Sequence, residues 1–103
     1  MYLQVGPDDG SITLVQPEDC TRLHVQLTSV DLSLARESFA ASGTGVIADD
    51  GTAAVDPGAL RRMAAGNVPA GWETRFDEML DYARRHGWVD GDGRVQAHIE
   101  QAR

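Results

Sequence analysis

The chain alternates between two hydrophobic periods. Residues 2–5 and 11–16 are rich in β-forming side chains and flank Gly6-Pro7-Asp8-Asp9-Gly10, which is strong turn chemistry. The pattern predicts an opening hairpin. Over residues 22–28 the period is two. Leu23, Val25 and Leu27 alternate with Arg22, His24, Gln26 and Thr28, so this strand should bury one face and wet the other. The period then lengthens. Asp31 is placed to cap a helix over 32–42, whose buried stripe would be Leu32, Ala35 and Phe39, with Gly43 as its stop. Val46-Ile47-Ala48 and Ala53-Ala54-Val55 enclose Asp49-Asp50-Gly51-Thr52 as a second hairpin. The first of these strands follows strand 22–28 through one helix, the order of a β-α-β crossover.

Asp56-Pro57 opens the next helix. The aspartate accepts free amide protons, and proline at the first helical position forfeits no hydrogen bond. Val55 and Leu60 stand at hydrophobic-staple positions, and Leu60, Met63 and Ala64 form the inner stripe. The most regular segment is 71–86. Trp72, Phe76, Met79, Leu80 and Ala83 share one helical face, with Glu73 at the positive end and Arg84, Arg85 and His86 at the negative end. Gly87 is placed to take the left-handed conformation past this helix, folding Trp88 back towards Ala83. After the turn Asp90-Gly91-Asp92-Gly93, the residues Val95, Ala97 and Ile99 alternate as a strand hairpinned with Trp88-Val89, although Val95, Ile99 and Ala102 also fit a helix.

At 103 residues the chain is long enough for one core. These elements predict a single α+β domain over 1–103, a small N-terminal antiparallel sheet packed against about three helices. The order helix, short turn, helix, Trp88-Val89, Asp/Gly loop, Arg94-Val95 within residues 56–100 resembles that of a winged helix-turn-helix, with 88–95 as a wing-like hairpin. Such domains lay their second helix in the DNA major groove. Here that helix carries Glu73, Asp77, Glu78 and Asp81, the wrong sign for phosphates.

Charge sharpens this. The net charge is −7. Residues 1–60 hold two arginines against nine acidic groups, whereas 61–103 balance. Nucleic acid is disfavoured as a partner, and solubility is the plain reading of the acidity. All nine basic residues are arginine. Without lysine there is no Schiff base and no phosphate-loop lysine. No apolar run approaches membrane-spanning length, and residues 1–8 carry no basic or apolar leader. A cytoplasmic location without a membrane partner is expected. The single Cys20 suits a reducing compartment.

Candidate chemistry is sparse. Cys20 and His24 are four residues apart, but extended geometry separates them, and a metal needs further ligands. The sequence therefore predicts neither metal nor cofactor. Asp90-Gly91-Asp92-Gly93 fails the calcium-loop register, because Ile99 stands where the bidentate glutamate belongs. Gly43-Thr44-Gly45 follows a helix instead of opening one, unlike a phosphate cradle. His24 and His98 fall on the polar faces of predicted strands. If those strands pair, they share a face with Glu100 and Arg22, which is general acid–base equipment; the plain alternative is a solvated sheet face. Trp72, Phe76, Tyr82 and Trp88 cluster within seventeen residues. Trp72 and Phe76 belong to the core stripe, while Tyr82, Trp88, Arg84 and Arg85 are candidates for an interface. The sequence thus favours a small non-enzymatic accessory or protein-interaction module, with a protein partner or a homodimer. The alternatives are a small-molecule-binding or enzymatic domain built on His24, His98 and Glu100, and a winged-helix regulator.

Overall fold

The computed structural model describes residues 1–7, 9–21 and 23–102. Asp8 of the predicted turn and Arg22 of the predicted polar face lie outside the described residues. The strands are β1 (Tyr2–Val5), β2 (Ile12–Val15), β3 (His24–Thr28), β4 (Gly45–Ile47), β5 (Thr52–Val55) and β6 (Val95–Ala102). The helices are α1 (Leu32–Ser42), α2 (Pro57–Ala64) and α3 (Trp72–Arg85). The domain is α+β, but its sheet is neither small nor purely antiparallel. Six strands form one mixed sheet in the order β2-β1-β3-β6-β5-β4. β1, β3 and β6 run parallel, and β2 and β5 run against their neighbours. The reason is the tail. β6 is more than the second arm of a wing-like hairpin. It inserts between β3 and β5, joining the N-terminal three strands to the β4–β5 hairpin. Residues 88–89 contribute a single bridge, Val89 to Val95.

Alternation then decides what each face does. Leu3, Val5, Val25, Leu27, Ala53, Val55, Val95 and Ala97 are buried in one cluster with Ala35 and Phe39 of α1, Leu60 and Ala64 of α2, and Trp72, Phe76, Leu80 and Ala83 of α3. One helical layer therefore covers one side of the sheet, as a half-polar strand pattern requires. Each fully buried leucine or phenylalanine contributes about 1.5–3 kcal/mol of transfer free energy. The opposite positions, among them Tyr2, Gln4, His24, Gln26, Gln96, His98 and Glu100, are part-exposed or exposed.

Local chemistry explains the helix ends. The Asp31 carboxylate accepts the Leu34 amide at 2.8 Å, and Gly43 closes α1 at φ 70°. Asp56 accepts the Gly58 amide at 2.9 Å. At the end of α3 the Trp88 amide reaches back to the Ala83 carbonyl at 2.9 Å, with Gly87 at φ 75°, a Schellman closure. Trp72 is fixed from the other side, its indole N–H donating to the Pro17 carbonyl at 2.6 Å. Arg61 of α2 links Asp77 and Glu73 of α3 at 2.8 and 3.2 Å and lies 4.9 Å from the Phe76 ring centre. In α1 the expected stripe is shortened: Ala35 and Phe39 are buried, but Leu32 is exposed.

Gly45 starts the edge strand β4 at φ 154°, and a Cβ there would stand 2.0 Å from the Ala54 carbonyl oxygen. Gly51 also has positive φ, at 85°, but faces open space. Gly45→Ala should therefore cost about 2 kcal/mol or more, and Gly51→Ala about 1 kcal/mol. Urea denaturation of both variants checks the ranking.

Candidate functional site

The strand pairing that the polar-face candidates depend on is formed. His24 of β3 stands directly opposite His98 of β6, and Tyr2 of β1 is opposite His24. The three rings therefore occupy one row across the uncovered face. Tyr2 stacks on His24 with centroids 4.9 Å apart, and His24 stacks on His98 at 5.4 Å, each pair 19° from parallel. Glu100 lies two residues beyond His98 on the same face. Its two oxygens reach the two imidazoles: Oε1 is 2.9 Å from His98 Nε2, and Oε2 is 3.7 Å from His24 Nε2.

This geometry sets the protonation chemistry. The hydrogen bond from His98 holds the Glu100 carboxyl below its usual range; burial opposes it, and the nearby His24 adds a lesser lowering effect. A carboxylate only accepts, so the proton facing it sits on His98 Nε2, and the neutral ring keeps its lone pair on Nδ1. The His24 side chain is only 22 % exposed. Burial pushes its pKa down, Glu100 pulls it back up, and His98 pushes it down further. His24 is thus harder to charge than a free imidazole, and His98, 64 % exposed, faces solvent.

The other candidates converge on the same place. β6 is longer than β3, and its first residues project past His24. The side of β6 that β3 leaves free is taken by the segment after α3: Val89 bridges Val95, and the Gln96 amide donates to the Trp88 carbonyl at 2.7 Å. The two segments do not meet. Between them a groove of about 430 Å³ opens, walled by Leu23, Met79, Tyr82, Ala83, Trp88, Val95 and Ala97, with Thr21, Gln96 and His98 as its polar groups. Tyr82 and Trp88 are 50 % and 43 % exposed. His86 completes an aromatic stack with them, 4.0 Å from Tyr82 and 4.8 Å from Trp88 between centroids. One groove therefore holds His98 from the acid–base candidates and Tyr82 and Trp88 from the interface candidates. Arg84 and Arg85 are exposed nearby at the end of α3, with Arg84 held by Asp81 at 2.7 Å.

Sequence reasoning missed Tyr2, Thr21 and Leu23 as site residues. Tyr2 was legible as a strand residue only; its place beside His24 depends on β1 pairing with β3. Cys20 stays apart. Burial raises its pKa, and the thiol lies 4.0 Å from the Pro17 carbonyl, so it is not poised as a nucleophile. Among the described residues, no group of three or more His, Cys, Asp or Glu is arranged to hold a metal ion.

The pH dependence follows from the directions. A histidine whose pKa is depressed on folding binds fewer protons when folded than when unfolded. The stability it contributes is complete above about pH 6.5 and is lost as the pH falls through its folded value. Glu100, also depressed, contributes above its normal carboxylate range and is lost at lower pH. The melting temperature should therefore fall on acidification from pH 7 to 5, and His24→Gln should flatten that fall while leaving the drop below about pH 4.5. No family model matches the chain, and the comparisons with curated proteins and solved structures found no match.

Proposed function

We propose that the protein is a small cytoplasmic accessory domain that binds a small organic molecule in the groove between Trp88 and Leu23. The observation that carries this reading is the convergence of His98, Tyr82 and Trp88 on one cavity of about 430 Å³. Sites for small molecules occupy about 300–1,000 Å³ and combine apolar walls with a few convergent polar groups. The groove matches both features. It also lies at a break in strand pairing, where β3 begins only opposite His98 and leaves the first residues of β6 to the segment after α3. His98 and Glu100 add acid–base capability at its mouth, but no activated nucleophile stands beside them among the described residues, so binding is the favoured activity.

A second reading is supported by a separate observation. Trp88 also borders a shallower hollow beside exposed Val46 and half-buried Ala54. Together with Tyr82 this gives an apolar, aromatic patch of the kind partner proteins use, and a homodimer is the simplest occupant. A winged-helix regulator has less in its favour. Residues 88–95 make one bridge, and Glu73 and Asp77 on the outer face of α3 are acidic groups already engaged by Arg61. No helix of the described chain is long and apolar enough to cross a membrane.

Native mass spectrometry of the purified chain tests the two readings. A monomer of 11.1 kDa plus a small organic mass, lost in Trp88→Ala, is the expected result. A dimer with nothing bound, returned to monomer by the same substitution, would transfer the assignment to the interaction module.

A further inference from the structure

The groove offers more than volume, and its polar groups select among ligands. We infer that its ligand is a planar aromatic molecule that bears an N–H or O–H donor and no negative charge. This inference rests on the groove being a small-molecule site.

Shape supplies the first argument. Leu23, Met79, Tyr82 and Trp88 line the groove together with the sheet residues Val95 and Ala97. Aromatic walls favour a flat ring, which stacks or packs edge-on against tyrosine and tryptophan. Both large aromatics are left 43–50 % exposed, although each has apolar surface that a ring in the groove would cover.

The polar groups supply the second. Glu100 occupies His98 Nε2 at 2.9 Å and, being ionised, accepts the proton there. The remaining nitrogen of the neutral ring, Nδ1, is then an acceptor. Such a nitrogen calls for a ligand donor. The Gln96 amide and Thr21 hydroxyl can each donate or accept, and so accommodate a carbonyl or hydroxyl on the same ligand. Glu100 is a positioning residue here: it acts through the His98 tautomer and does not line the groove.

Charge supplies the third. Among the described residues, no aspartate, glutamate or arginine lines the cavity. An anion would enter a groove whose described lining is mostly apolar and carries no arginine, on a protein of net charge −7.

Three one-ring probes separate these features: benzamide, methyl benzoate and benzoate. Benzamide is neutral with a donor, methyl benzoate is neutral without one, and benzoate is the anion. Each is titrated to millimolar concentration into the ¹⁵N-labelled full chain and followed by amide shifts. Benzamide should saturate the shifts of Leu23, Ala83 and Gln96 at least tenfold more tightly than benzoate and several-fold more tightly than methyl benzoate, because only benzamide satisfies the imidazole lone pair. His98→Ala should abolish the preference over methyl benzoate and keep the discrimination against benzoate. Long-range ¹H–¹⁵N spectra should show the His98 ring as the Nε2–H tautomer, and Glu100→Gln should mix the tautomers and narrow the benzamide preference. Tighter binding of benzoate at the same amides, no difference between the two neutral probes, or an Nδ1–H ring would overturn the ligand class and leave the groove standing as a site. Absence of shifts at those amides with all three probes would overturn both.

Discussion

Insertion of β6 between β3 and β5 is the interaction on which the rest depends. Without it the molecule is a three-stranded sheet and a separate hairpin, each with an unpaired edge. With it there is one surface for all three helices to cover. The pairing also aligns His24 with His98, and the mismatch in length between β3 and β6 opens the groove. Core, row of rings and cavity are thus products of the same strand. This junction is non-local: residue 24 meets residue 98. Its formation has to repay a large loop-closure entropy before the helices gain a common platform.

Local features were the legible ones, for a physical reason. The α3 stripe of Trp72, Phe76, Leu80 and Ala83 is set by helical period, and its end by Gly87 and the Trp88 amide; both are determined within a few residues. The caps Asp31 and Asp56 act within one turn. The opening hairpin and the hairpin around Asp49–Thr52 follow from turn chemistry. Strand order was not legible, because alternation reports which face of a strand is buried and says nothing of its neighbour. Hence the alternation of Val95, Ala97 and Ile99 favoured a strand without excluding a helix, and the place of 95–102 in the middle of the sheet was not readable. The predicted crossover from β3 through α1 does return to the same sheet, but β4 lands at its far edge, with β6 and β5 between.

The candidate site divides in the same way. His24, His98 and Glu100 could be named from polar positions in two strands, and the single unknown was whether those strands meet. Tyr82 and Trp88 could be named as large side chains off a buried stripe. That the two groups border one groove depends on where β3 starts and where the segment after α3 stops, and no short window of sequence carries that information. The exposure of Leu32 makes the same point from the other side. Leu32 shares a helical face with the buried Ala35 and Phe39, yet it is exposed, and period alone does not say how far along a helix the cover runs.

A sheet packed on one face only sorts its residues by the freedom they have to change. Leu3, Val25, Leu27, Val55 and Ala97 are fitted against helices, so a substitution there is felt throughout the core. Tyr2, Gln4, His24, Gln26, Gln96, His98 and Glu100 share the same strands and are held to the same spacing, yet the helical layer is packed on the other face. The backbone thus keeps a row of positions at fixed register whose side chains can be exchanged at small cost to folding. In evolutionary terms, related chains of this fold are free to keep the inner face and rewrite the outer one, carrying different binding chemistries on a scaffold that need not be reinvented.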